Sequence, residues 1–210
     1  MYFYSEESTR QALHKGLTQA QSQLLQEAKV AIVGLGGLGS NVAMWLARLG
    51  VGHMLLYDFD KVELSNLNRQ YYFLEDVGEY KAVALLKHLQ QVNPYGDYQS
   101  KVVRLTEENL AELMADASIV CEALDKPEAK ALLVNGVLEK FPEKYLVAAS
   151  GLAGFGSSAS MQVRKITPHF YLCGDGHSSF LNLPLCGARV GLCAAQEALT
   201  IARIILQMES

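Results

Sequence analysis

No C-x-x-C pair occurs among the four cysteines of this chain, Cys121, Cys173, Cys186 and Cys193. Without closely spaced thiols, neither a four-cysteine zinc knot nor a thioredoxin-type redox motif is expected. Positive charge is not in excess either: 18 Lys and Arg against 22 Asp and Glu leave a net charge of −4. That removes the basic footprint a nucleic-acid groove needs, and makes a basic tail on a protein partner the better electrostatic match. No apolar run is long enough to cross a bilayer, because Val190 to Met208 is interrupted by Gln196, Glu197, Arg203 and Gln207 and reads as a buried or interfacial helix. A basic N-terminal segment followed by an apolar signal core is also missing, so a reducing, cytoplasmic setting is expected. Repeats and low-complexity tracts are absent. What is present is half apolar and 19% charged, an ordinary globular balance, long enough to bury a substantial core in one α/β domain spanning 1–210.

The strongest local pattern starts at Val30. The apolar run Val30, Ala31, Ile32, Val33 leads directly into Gly34, Gly36 and Gly39 in G-x-G-x-x-G spacing, with Gly37 as a further position lacking a Cβ. Such a turn brings backbone amides close to phosphate oxygens and lets the next helix sit tightly on a sheet. That helix, Ser40 to Leu49, carries Val42, Ala43, Leu46 and Leu49 at helical spacing, so its positive end faces the turn. A second strand, Met54 to Tyr57, ends at Asp58, about 20 residues beyond the glycines, where a nucleotide-binding βαβ unit carries its acidic ribose ligand. The pattern therefore predicts a bound nucleotide in preference to a purely structural turn.

The remaining elements follow from periodicity and punctuation. Residues 1–7 read as irregular and Ser8 to Glu27 as one helix with a stripe of Leu13, Leu17, Leu24 and Leu25, which puts Arg10 at a helix start, where a cation opposes the dipole. Lys81 raises the same question at the head of the helix Lys81 to Val92. Between them, Ser65, Asn66, Asn68, Arg69 and Gln70 form a polar run that suits turn capping and ligand contact equally. Strands are expected at Tyr98 to Leu105, Ser118 to Cys121 and Tyr145 to Ala149, with helices from Thr106 to Met114 and Pro127 to Lys140. Asp125 then falls at the carboxyl edge of a parallel sheet, the edge that also carries Asp58 and the glycine turn. Cys121 reads as a small core residue and Cys193 as helix packing. The Gly- and Ser-rich stretch 150–158 reads as a crossing loop, Met161 to Ile166 and Phe170 to Cys173 as paired strands, Gly174 to Cys186 as a loop and Arg189 to Met208 as the closing helix. The fold class is α/β: a doubly wound, Rossmann-like, mostly parallel sheet extended by antiparallel strands, with an N-terminal helix and a long C-terminal one.

In that order, Gly34-Leu-Gly-Gly-Leu-Gly39, Asp58-Phe-Asp60, Ser65-Asn-Leu-Asn-Arg-Gln70, Lys81 and Asp125 resemble the ThiF/MoeB family, adenylyltransferases related to ubiquitin-activating enzymes. The likeness runs from Arg10 to the closing helix, and the Ser-Asn-Leu-Asn-Arg-Gln run is its most specific part. It implies ATP as the nucleotide and a small ubiquitin-like sulfur-carrier protein ending in Gly-Gly as the partner, with ThiS of thiamine biosynthesis preferred for so compact a chain. By the same resemblance, Gly37 approaches the phosphates and Asp58 and Asp60 lie on the nucleotide. Asn66, Arg69 and Gln70 belong to the ATP-binding run, Arg69 and Lys81 touch phosphate oxygens and Asp125 organises Mg²⁺. Arg10 would reach into the partner subunit's site, implying a homodimer. Residues 1–28 then form an arm, 29–150 the nucleotide-binding part and 151–210 the carrier-binding part.

The chain departs from its relatives in three places. Many members bind structural zinc through two C-x-x-C pairs, whereas only Cys173 lies near the first pair's place, so no zinc is expected. Cys186 falls near the loop cysteine that some relatives join to their carrier, and Lys126 follows Asp125 where many have asparagine. An NAD-dependent dehydrogenase would also use the βαβ unit, but has no evident use for the polar run.

Overall fold

The computed structural model describes residues 4–208. Seven strands form one sheet in the order β3-β2-β1-β4-β5-β7-β6. They are β1 (Lys29–Val33), β2 (His53–Asp58), β3 (Asp97–Val102), β4 (Ile119–Glu122), β5 (Tyr145–Ala149), β6 (Gln162–Thr167) and β7 (Phe170–Gly174). Every neighbouring pair is parallel except β6 with β7. Of the two C-terminal strands, only β6 adds an antiparallel edge; β7 continues the parallel sheet beside β5.

Alternation along the strands divides the core into two layers. On one face Val30, Ile32, Ile119, Cys121, Val147 and Ala149 pack under α3 (Gly37–Arg48), α4 (Lys81–Val92) and the long α7 (Gly187–Ile205). On the other, Ala31, Val33, Val120 and Leu146 meet α5 (Glu107–Met114) and α6 (Pro127–Lys140). Helices thus cover both faces, and the strand order reverses between β1 and β4. In doubly wound sheets, ligands sit at the carboxyl edge of that switch point.

The N-terminal region differs from its expected form. A single helix over 8–27 is replaced by α1 (Glu6–Leu13) and α2 (Gln19–Glu27). Gly16 takes φ +90° in the break, a conformation L side chains rarely adopt, and Thr18 starts α2 with a reciprocal capping box to Gln21. The cap of α1 is Ser5, so helix begins inside the stretch read as irregular, and Arg10 lies in the last turn rather than the first. There a cation favours the dipole, and the awkward helix start disappears. Elsewhere boundaries move by a few residues: α3 opens at Gly37, β3 ends at Val102, β4 takes in Glu122, and α7 starts at Gly187 and stops at Ile205.

Candidate active site

The glycine turn leaves β1 with Gly34 at φ +88°. A Cβ there would stand 2.6 Å from the Ala123 carbonyl oxygen, and one on Gly39 would overlap the Gly34 carbonyl. These two glycines therefore serve close packing between the turn, α3 and the β4–α6 loop. Gly37 has a second task besides any phosphate: its Cβ would lie 2.9 Å from Val190 of α7 and 3.6 Å from Cγ of Arg69. Only near Gly36 is there room, the first neighbour being the Gln70 amide nitrogen at 3.7 Å.

Asp58 closes the other side of the turn. Its Oδ2 accepts the Leu35 amide at 2.6 Å and its Oδ1 the Asp60 amide at 2.7 Å. Burial pushes this carboxyl above the usual carboxylate range, opposed by the two amides and by the ammonium of Lys81. Asp58 thus shapes the turn while keeping lone pairs to spare, since a carboxylate accepts about four hydrogen bonds. Lys81, buried at the first position of α4, donates to Asp60 at 3.3 Å. The anion that a lysine at a helix start requires is Asp60. Tyr72 ties the same corner together, its hydroxyl donating to the Leu35 carbonyl at 2.8 Å.

Of the two roles that composition left open for the polar run, the structure shows turn capping directly. Asn66 accepts the Glu63 amide at 3.0 Å as the cap of a short 3-10 turn, Leu64–Asn66. Ser65 offers its carbonyl to Arg69 at 3.1 Å, and Asn68 its side-chain oxygen to the same guanidinium at 2.7 Å. Arg69 has no carboxylate partner among the described residues. Gln70 is buried, and its Oε1 has no hydrogen-bond partner, a cost of about 1–3 kcal/mol unless something donates to it. A buried orphan acceptor beside a glycine turn marks a place that suits a ligand able to donate.

Asp125 is exposed at the carboxyl end of β4, on the edge that carries Asp58 and the glycine turn. Its loop is held from below: the fully buried Glu122 accepts the Leu124 amide at 2.8 Å and pairs with Lys130, which also donates to the Ala149 carbonyl at 2.9 Å. Burial raises the Glu122 carboxyl, and Lys130 opposes the shift. Sequence reasoning misses both Glu122 and Lys130; a strand extended by one residue past Cys121 is the only cue. Cys186 caps α7 and is partly exposed, and the next residue, Gly187, packs so closely on the Asn68 carbonyl that a Cβ would overlap it. The backbone at the head of α7 therefore lies beside the polar run. Cys121, Cys173 and Cys193 are buried, and desolvation raises all three thiols, in keeping with the reading of Cys121 and Cys193 as packing residues.

Arg10 is not brought to this site in its own chain. It pairs with Glu7 and, with the Gln26 amide turned so that both groups are satisfied, with the Gln26 oxygen at 3.0 Å. Gln26 packs against Gly52, at the amino end of β2 and so at the opposite end of the sheet from the glycine turn.

Residues 8–208 match the ThiF family. The chain belongs to that family. Among curated relatives, the ThiF-family chain is 40% identical over 124 residues to a sulfur carrier protein adenylyltransferase of Thermus thermophilus, covering 59% of this chain and 41% of the relative. It is 37% identical over 144 residues to the sulfur carrier protein ThiS adenylyltransferase of Bacillus subtilis, covering 67% and 43%. With the adenylyltransferase and sulfurtransferase MOCS3 of Anopheles gambiae it shares 32% over 203 residues, 90% and 44% of the two chains. It spans less than half the length of these relatives. Among solved structures, E. coli tRNA N6-threonylcarbamoyladenosine dehydratase, TcdA, in complex with AMP superposes with a TM-score of 0.86 at 21% identity over 99% of both chains. E. coli MccB with ATP gives 0.70 at 21% identity, covering 90% of this chain and 58% of that one. At such identities the likeness is one of fold.

Proposed function

We propose that this ThiF-family chain adenylates the C-terminal glycine of a small ubiquitin-like sulfur-carrier protein, using ATP and releasing pyrophosphate, with a ThiS-like carrier of thiamine biosynthesis as the preferred partner. The observation that carries the reading is the orphan Gln70 oxygen beside the glycine turn, with Arg69 and Lys81 arriving from the same side and Asp125 at the same sheet edge. The names of the curated relatives at 37–40% identity support the class of reaction.

The chemistry asks little of acid–base groups. A carboxylate is already ionised at neutral pH, so it attacks the α-phosphorus without a general base. The carboxylate oxygen–phosphorus bond forms as the bond to the β-phosphate bridging oxygen breaks, and that oxygen leaves with its electron pair in pyrophosphate. What the reaction needs is two anions held together and charge on the phosphate stabilised. Arg69, without a carboxylate of its own, and Lys81, partnered only by the half-exposed Asp60, supply that positive charge. The amides of the turn and the spare lone pairs of Asp58 orient phosphate and ribose. Asp125 suits Mg²⁺, which takes one or two protein carboxylates and completes its shell with substrate phosphates and water; when bound, it neutralises charge on the triphosphate. Among the described residues no three His, Cys, Asp or Glu side chains form a group able to hold a metal without such help.

We assign residues 151–210 to carrier binding and Cys186 to a place where a thiol meets the activated tail. We also infer a homodimer. Arg10 faces away from its own site, and Phe73 and Leu74 expose apolar surface at a hollow of about 620 Å³ that Leu67 and Tyr72 also line, the kind of surface that marks an interaction site. Arg10 then serves the partner's site.

ATP–pyrophosphate exchange with a panel of carriers ending in Gly-Gly tests the reading. Exchange should require the carrier and Mg²⁺ and fall about 10²–10³-fold in Arg69→Ala, the usual cost of one transition-state donor. Exchange that is carrier-independent, or unchanged in both Arg69→Ala and Asp125→Ala, refutes it. A greater response to a molybdopterin-type carrier than to a ThiS-like one corrects the partner alone.

A further inference from the structure

Two loops leave the carboxyl ends of β5 and β7, next to the site, and lie on each other for most of their length. The Asp175 amide donates to the Gly151 carbonyl at 2.8 Å, Gly176 to Ser150 at 2.9 Å, and Gly154 to Pro184 at 2.8 Å. Four glycines at positive φ make this possible, namely Gly151 at +78°, Gly154 at +80°, Gly174 at +114° and Gly176 at +80°. Such a path has few intrinsic preferences to hold it, because glycine backbone is the most entropic to fix.

One buried ion pair holds it. Asp175 accepts the amides of His177 and Ser178 at 2.9 and 2.8 Å. Its other oxygen takes Nη2 of Arg189 at 2.6 Å. Arg189 also donates to the carbonyls of Gly156 and Ser157, at 2.7 and 3.1 Å, and to the Ser160 hydroxyl at 3.2 Å. A single guanidinium thus joins the first turn of α7 to both loops. The position is a poor one for a cation, since a helix N-terminus repels it and burying an ion pair is costly. Hydrophobic side chains in place of both partners would anchor the helix about as well, whereas removing one partner alone strands the other charge. Only the planar fork of arginine spans acceptors on two loops at once.

What the pair holds in place faces solvent. Phe155 and Leu181 are 79% and 80% exposed and Phe180 is half-exposed, all on the two loops that leave the sheet edge carrying the glycine turn, and Cys186 lies three residues before Arg189. We propose that Arg189 and Asp175 are positioning residues that set the shape of the partner-docking rim, fixing Phe155, Phe180, Leu181 and Cys186 for the incoming carrier without touching the nucleotide. The proposal rests on the adenylyltransferase reading and deepens it.

Two readouts test it on the full-length protein. In Arg189→Met and Asp175→Asn, limited proteolysis followed by mass spectrometry should show new cuts within 151–160 and 174–186 while the rest of the chain stays protected. In pyrophosphate exchange, the KM for the carrier should rise about tenfold with the KM for ATP within about twofold, a loss of uniform binding to one substrate. Arg189→Lys, which keeps the charge but not the fork, should restore folding stability more than carrier KM. Loops that remain uncut with an unchanged carrier KM overturn the proposal, as do equal rises in both KM values, which would mark the pair as general support. If Arg189→Met does not fold, Asp175→Asn, which removes the charge alone, decides between the same outcomes. Should the wild-type chain exchange with no carrier, the functional reading falls, and the cleavage pattern alone decides whether the pair shapes the loops.

Discussion

Glu197, in the middle of α7, is fully buried and neither of its carboxylate oxygens has a hydrogen-bond partner. Burial is the main reason its carboxyl is held well above the usual carboxylate range; the Glu122 carboxylate adds to the shift and Lys130 opposes it. Its other ionisable neighbours are the buried thiols of Cys121, Cys173 and Cys193. The folded protein therefore holds a proton at Glu197 more tightly than the unfolded chain, whose carboxyl has a pKa of about 4.3. A raised folded pKa contributes stability that is fully present below the unfolded value and is lost as pH rises through the folded one. Between the two, each pH unit removes about 1.4 kcal/mol. Glu197→Gln keeps the shape and cannot ionise. Its stability relative to wild type, from urea unfolding at pH 5, 6 and 7, should therefore improve as the pH rises. Glu197→Met also removes the orphan polar atoms, worth about 1–3 kcal/mol, and should be more stable than wild type at pH 7, with less gain at pH 5. A Gln variant that follows the wild-type pH slope, or that loses stability at pH 7, would show that the carboxylate is charged and partnered, and the reasoning would be wrong.

Other expectations can be checked as directly. A thiol reagent should modify Cys186 alone in the native protein and all four cysteines in denaturant, since the other three are buried with raised thiols; a second fast-reacting thiol would contradict the packing of α7. Gly39→Ala drives a Cβ into the Gly34 carbonyl and should cost about 3 kcal/mol or more in denaturant unfolding, with ATP binding lost alongside; a neutral result would show that the turn is loose. Tyr72→Phe should lose about 1 kcal/mol by removing the hydroxyl donor to Leu35, measured in the same way. Mixing Arg10→Ala with Asp125→Ala subunits should recover about a quarter of the sites if pairing is random and Arg10 acts across a dimer; no recovery from two inactive parents would remove Arg10 from the partner's site.

The parts of the molecule that the sequence makes legible are those under backbone constraint. A strand can enter a helix through Gly34 and Gly39 in few ways, and once β1, β2 and β4 are parallel their carboxyl ends must share an edge, which places Asp58 and Asp125 together before any side chain is known. The N-terminal region is harder to read because Leu13, Leu17 and Leu24 keep helical spacing in the sequence across the break at Gly16. Leu17 and Leu24 pack against the core after the backbone has turned, and the apparent strain at Arg10 comes from overlooking that one turn. The buried pairs Glu122–Lys130 and Arg189–Asp175 leave no periodic trace at all, since each joins residues whose neighbourhood exists only after the sheet and helices have assembled.

The polar run shows why turn chemistry and ligand chemistry are poor alternatives. Asn66 caps the turn through Glu63, the turn carries the chain back so that Arg69 lies along Gly37, and Gln70 comes to rest beside Gly36 with its oxygen unpaired. Had Asn66 been free to reach a nucleotide, nothing would have fixed Arg69 and Gln70 behind it. On the proposed adenylyltransferase reading the cap positions Arg69 and Gln70, and Asn66→Ala should weaken ATP binding, measured by equilibrium titration, through those two residues rather than through a lost contact of its own.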